Sequence, residues 1–266
     1  MVADTTLGLF ATTFAVTAAA LLALWVASLV KRDVSIVDVY WGPGFAVIAN
    51  LSARLAVGGA PGRRALVALL TTIWGLRLGA YLCWRNWGTP EDFRYAAMRR
   101  RWDDRFPLAS LGTVFGLQAV LMWVVSLPVQ VAALAPVPAA LGPLDGLGVV
   151  VWVVGLAFEA VGDAQLARFK ADPANAGRVM ERGVWAWTRH PNYFGDACVW
   201  WGLFLIACAT PGGAWTLPSP ILMTFLLRRV SGVPMLERSL AKRRPGYADY
   251  VARTSAFLPR PPRTRA

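Results

Sequence analysis

The sequence predicts an all-α polytopic membrane protein, seven transmembrane helices joined by short cytoplasmic helices, and three observations carry that prediction. Hydrophobic residues make up 56% of the 266 and charged residues only 16%, with mean hydropathy +0.47. That is too apolar for an ordinary water-soluble domain. The apolar residues also fall in long runs, seven of which approach the roughly 20 residues that a bilayer core requires. Finally, when spans are laid down from an outside N-terminus, only Arg54, Arg63 and Arg64 of the 27 Lys and Arg fall near the outer face, with Arg77 inside a span. The rest lie on the cytoplasmic side, a strong positive-inside signal. The net charge of +12 is therefore a topology signal, compatible with contact to anionic lipids, and does not point to nucleic acid.

The expected spans are residues 5–30, 34–58, 65–84, 108–135, 143–165, 193–210 and 214–231. The first is too long for a signal-peptide core, has no basic residue before it and lacks a small-residue cleavage site, so it counts as a span. Asp38 and Tyr40 open the second, Arg77 interrupts the third, and Glu159 and Asp163 sit near the cytoplasmic end of the fifth. Pro191 starts the sixth, since a proline costs nothing in a first helical turn. Cytoplasmic segments run over 85–107, 167–191 and 231–266, whereas the external connection 136–142 carries no charge. Thr89, Glu91 and Asp92 announce a short surface helix with a basic stripe, and 237–250 is a second such element. A single domain over 1–258 and a disordered basic tail over 259–266 complete the expectation. Cys83, Cys198 and Cys208 show no metal-ligand spacing and read as packing residues, and with a single histidine beside them no metal site is expected.

Four constellations carry chemistry. Arg189-His190-Pro191-Asn192-Tyr193-Phe194-Gly195-Asp196 begins a helix whose free N–H groups and positive dipole end favour an anion; an interfacial turn with a capping Asn192 explains it equally well. Glu159 and Asp163, four residues apart, share one helix face, with Arg168 and Lys170 following. Carboxylates at membrane depth mark binding sites, the alternative being a self-satisfied ion-pair patch. Asp38 and Arg77 lack local partners and either pair with each other or meet a ligand. Arg94 and Tyr95, on the surface helix, either close over a ligand or anchor the helix at the interface. Dinucleotide-binding glycine fingerprints, Walker loops and serine elbows are absent from the sequence.

Five blocks make the chain resemble the steroid 5-alpha-reductase-like membrane reductases, in their bacterial branch, over nearly the whole length. They are Ser35-Ile36-Val37-Asp38-Val39-Tyr40-Trp41-Gly42, Trp74-Gly75-Leu76-Arg77-Leu78, Arg85-Asn86-Trp87-Gly88 with Asp92-Phe93-Arg94-Tyr95, residues 158–170, and residues 189–196. The Arg189-His190-Pro191-x-Tyr193 core is shared with sterol C14 reductases and isoprenylcysteine-type methyltransferases. The resemblance implies an NADPH-dependent reductase of a lipid-like enone, steroid-like or other, in a bacterial inner membrane, with the C-terminus cytoplasmic. It assigns cofactor contacts to Arg77, Arg94, Glu159, Asp163, Arg168, Lys170, Arg189, His190, Asn192, Tyr193, Asp196, Glu237 and Tyr250. Asp38 corresponds to the acid that orients the substrate carbonyl, and Trp74 stands where those enzymes place a tyrosine. An indole donates an N–H bond but is no proton donor at ordinary pH, so Tyr40 and Tyr81 are the expected replacements. The alternatives are an S-adenosylmethionine-dependent lipid methyltransferase, favoured by Glu237, and a non-catalytic lipid-binding protein, favoured by Trp74.

Overall fold

The computed structural model describes residues 2–230, 237 and 244–262, and among these the regular structure is entirely helical. The single domain expected over 1–258 divides into two compact units, residues 1–142 with 206–216, and residues 143–205 with 217–266. Among the described residues, four stretches are long and apolar enough to cross a membrane: Thr6–Lys31, Pro61–Asn86, Phe93–Val125 and Pro143–Ala171. Their outer faces expose Leu22, Val26, Leu69, Ile73, Val150 and Val153. Such surfaces are stable only against lipid or another apolar partner. The expected spans 34–58, 193–210 and 214–231 also form helices, but Asp38 and Asn50 in the first, and Asp196 in the second, whose helix starts at Pro191 and so also takes in Asn192, make them more polar. The third is a short helix with Pro218 and Pro220 in its first turn.

The first unit contains α1 (Val2–Lys31), α2 (Ile36–Leu55), α3 (Pro61–Asn86), α4 (Phe93–Trp102), α5 (Phe106–Ser110), α6 (Leu117–Val125) and α7 (Leu127–Leu134). Helices α2 and α3 meet backbone to backbone, because a Cβ at either Gly42 or Gly75 would overlap the carbonyl oxygen of the other. This contact seals Trp74, fully buried, against Phe45, with ring centroids 5.7 Å apart. Arg63, expected near the outer face, is instead fully buried and donates to the Pro138 and Ala140 carbonyls at 2.7 and 3.2 Å. The uncharged 136–142 connection thus supplies the acceptors that make that burial affordable in free energy.

The second unit contains α8 (Pro143–Ala171), α9 (Val184–Trp187), most of α10 (Pro191–Cys208), α11 (Pro218–Phe225) and α12 (Tyr247–Arg253). Small residues set the approach of α8 and α10: Gly148 meets Gly202, Gly155 meets Gly195, and Gly162 meets Pro191. Spaced by seven residues on α8, they fall on one face every two turns. Such close backbone approach is how helices associate where lipid removes the hydrophobic drive. The tail expected to be disordered is ordered at least as far as Arg260, whose N–H donates to the Trp187 carbonyl at 2.9 Å.

Candidate functional site

In the first unit, Asp38 opens α2 and is gripped from α4. Arg94 Nη2 donates to Asp38 Oδ2 at 2.6 Å, and the Tyr95 hydroxyl donates to Asp38 Oδ1 at 2.7 Å. The local cause lies one residue before α4: Asp92 caps the helix, accepting from the Arg94 backbone N–H at 2.9 Å and from Arg94 Nε at 2.8 Å. That capping aims the guanidinium between two carboxylates, a use suited to its planar fork. The expected cap from Thr89 is not made, since the Thr89 hydroxyl donates back to the Asn86 carbonyl. Burial pushes the Asp92 carboxyl up, but the Arg94 bonds more than offset it and leave the group below its usual value. Asp38 thus pairs with Arg94 rather than with Arg77, whose guanidinium lies 5.4 Å from the centroid of the Tyr81 ring. Tyr95, 6% exposed, was expected to close over a ligand or anchor the helix, and its bond to Asp38 is the part that sequence reasoning missed. Its signal was an aromatic hydroxyl beside a basic residue directly after a capping acid.

In the second unit, the turn before α10 is tied down on every side. Arg189 Nε donates to Glu237 Oε1 at 2.8 Å, and its Nη1 donates to the Thr254 and Val251 carbonyls at 2.7 and 3.1 Å. His190, 4% exposed, places Nε2 3.1 Å from the same Glu237 oxygen and stacks on Tyr193 with 5.5 Å between centroids. A strap of residues 254–260 runs alongside: the Arg189 N–H donates to the Ser255 carbonyl, and the Thr188 hydroxyl donates to the Phe257 carbonyl, both at 2.9 Å. The Tyr250 hydroxyl donates to the Trp185 carbonyl at 2.6 Å, and burial holds this phenol well above its ordinary value, so it stays a donor. Arg189, His190, Glu237 and Tyr250, all expected at a cofactor, are therefore engaged first with the chain itself.

The remaining expected residues gather on the α8 side. Glu159 and Asp163 are 2% and 3% exposed, on the face that meets α10, and Asn192 Nδ2 donates to Asp163 Oδ1 at 3.4 Å. Arg168 and Lys170, one to two turns on, are exposed. Asp196 lies one turn along α10 from Asn192. Tyr40 is half-buried on α2, with its ring edge over Gly44. Buried acceptors, an amide and exposed cations within a few turns form a donor and acceptor set suited to hydroxyls, an amide and phosphates. No group of three His, Cys, Asp or Glu side chains able to hold a metal occurs among the described residues.

The Glu237 network makes a pH prediction. Burial pushes this carboxyl up, but the His190 and Arg189 bonds outweigh it and hold the group below its ordinary 4.5. A carboxylate with a lowered folded pKa adds stability at pH above its unfolded value and loses that contribution as pH falls through the folded one. Thermal unfolding followed from neutral pH to about pH 3 is expected to show Glu237→Gln less stable than wild type near neutrality. The two curves are expected to converge below the ordinary 4.5; a constant gap would show that the charge is not what stabilises the turn.

Residues 24–254 match the profile of a family described as Protein of unknown function (DUF1295). No curated protein and no solved structure matches the chain.

Proposed function

The chain belongs to that family, and we propose that it is an NADPH-dependent membrane reductase that saturates the C=C bond of an α,β-unsaturated carbonyl in a lipid. The observation that carries the proposal is the pair of buried carboxylates, Glu159 and Asp163, beside the Asn192 amide at the start of α10. Acidic side chains at membrane depth usually mark a binding site, and these two lie on the helix face that meets the Asn192 amide. The set fits a nicotinamide dinucleotide: Glu159 and Asp163 accept from ribose hydroxyls, Asn192 and Asp196 meet the carboxamide side, and Arg168 and Lys170 meet phosphates. Seven spans with an outside N-terminus belong to the same proposal, because they put the start of α10 on the cytoplasmic side of a bacterial inner membrane, where the cofactor is.

NADPH, when bound, supplies a hydride to the β-carbon of the enone. Within the first unit, carbonyl polarisation is assigned to the Asp38 cluster. Arg94 commits Nε to Asp92 and Nη2 to Asp38, which leaves its Nη1 donors uncommitted among the described residues. A cation fixed between two carboxylates stabilises the negative charge that develops on the carbonyl oxygen. Tyr95 holds the transferable proton of the cluster, since a guanidinium stays charged. Asp38 keeps both groups oriented.

Thermal unfolding of the solubilised protein separates this reading from a methyltransferase. NADPH at a hundredfold excess over its Kd is expected to stabilise the protein by about 2.7 kcal/mol, a shift on the order of 5 °C. Asn192→Ala and Asp163→Asn are expected to reduce that shift while the ligand-free protein stays folded. Stabilisation by S-adenosylmethionine and none by NADPH would overturn the reading.

A further inference from the structure

A groove of about 500 Å³ opens in the second unit between α10, the end of the α11 segment and the strap of residues 254–260. Its size falls within the roughly 300–1,000 Å³ typical of ligand sites. Phe194, Cys198, Trp201 and Phe257 form apolar walls, while Arg228 and Arg260 line it as its cations, and no carboxylate is among its lining residues. Two polar groups of the walls are already spent: the Trp201 indole N–H donates to the Thr224 hydroxyl, which itself donates to the Pro220 carbonyl. The Arg228 guanidinium sits 5.2 Å from the centroid of the Phe257 ring, a cation–π placement that holds it beside the apolar floor. Neither arginine side chain forms an ion pair among the described residues, and both are exposed.

We propose that this groove binds an anionic phospholipid of the bilayer, one acyl chain against Phe194, Trp201 and Phe257 and its phosphate at Arg228 and Arg260. Charge decides the occupant. An enone lipid offers a neutral carbonyl, which gives two guanidinium groups nothing to neutralise, whereas a phosphate accepts from both. A free phosphate, in turn, leaves the aromatic walls without a partner. The site requires no bound cofactor and stands apart from the α8 face of α10, so it does not depend on the reductase reading. It has a consequence for the neighbouring turn: the strap that forms one wall also accepts the Arg189 N–H and the Thr188 hydroxyl. Lipid in the groove therefore braces the segment from which α10 starts.

Native mass spectrometry of the full chain, released from mixed micelles holding equal phosphatidylglycerol and phosphatidylcholine, tests the site. Wild type is expected to retain phosphatidylglycerol over phosphatidylcholine by on the order of tenfold, from the attraction of two cations to an anionic head. Arg228→Gln with Arg260→Gln is expected to abolish that preference, and both positions are exposed, so folding is spared. Cys198→Trp, which fills the groove, is expected to lower retention of both lipids. Arg100→Gln with Arg101→Gln, on the exposed side of α4, is expected to keep the preference. An undiminished preference in the Arg228 and Arg260 double variant would overturn the proposal. So would thermal stabilisation by inorganic phosphate equal to that by phosphatidylglycerol, which would make the groove a site for free anions.

Discussion

Gly195→Val is expected to leave no stably folded second unit. A Cβ at this position overlaps the Gly155 carbonyl oxygen, and it would also stand 2.6 Å from the Glu159 backbone nitrogen and 2.9 Å from the Glu159 Cβ. The obstructing atoms are mostly backbone of α8, so no rotamer change relieves them, and the helices must part. Overpacking a core ordinarily costs about 1–3 kcal/mol, and a clash with backbone belongs at or beyond the upper end. Parting α8 from α10 also separates Asp163 from Asn192, so ligand binding goes with the fold. Gly146→Ala is the matched control: on the same helix, with nothing within 4 Å of its added Cβ, it is expected to be neutral or to stabilise by about 0.5–1 kcal/mol. Thermal inactivation and size-exclusion profiles in one detergent check both. Equal stability of Gly195→Val and wild type would refute glycine-mediated packing of α8 on α10.

Tyr95→Phe is expected to lower turnover by roughly 10²–10⁴-fold, the usual loss when a positioned proton donor is removed. The change deletes only the hydroxyl, whose one hydrogen bond among the described residues is to Asp38 Oδ1. Stability should fall by about 1–3 kcal/mol, the cost of one unsatisfied acceptor, since Arg94 still holds the other carboxylate oxygen. The loss is expected in kcat, with NADPH affinity unchanged, because the cofactor groups lie on α8 and α10. Tyr40→Phe and Tyr81→Phe are expected to stay near wild type. An active Tyr95→Phe with an inactive Tyr40→Phe would move the proton to Tyr40 and dissolve the role given to the Asp38 cluster.

Features set by local periodicity were legible in the sequence. Glu159 and Asp163 fall four residues apart on a helix and are buried together, and Pro191 begins α10 where a proline is tolerated. Partner choice was not legible, because it is decided across the fold. For Asp38 the sequence offers Arg77, the charge inside the next span, or a ligand, yet the partner is Arg94, 56 residues on, aimed there by the Asp92 cap. Likewise Arg189 and His190 advertise an anion site, while their nearest anion is Glu237 and their carbonyl partners lie more than 60 residues downstream. Arg63 shows the same limit: a surface charge in sequence terms, it is fully buried because two carbonyls of an uncharged loop happen to reach it. Trp74, expected at the carbonyl, is packed inside the first unit against Phe45, a consequence of the Gly42 and Gly75 contact that no spacing rule announces.

Label transfer tests the reductase proposal most directly. Purified protein in lipid is incubated with NADPH deuterated at the transferable nicotinamide position and with enone lipids, from steroids to polyprenyl and fatty enals. The expected result is a saturated product carrying one deuterium at the β-carbon, formed in step with NADPH oxidation and lost in Tyr95→Phe. NADPH left unoxidised with every enone, or a product whose β-carbon carries solvent hydrogen in place of the label, would contradict it.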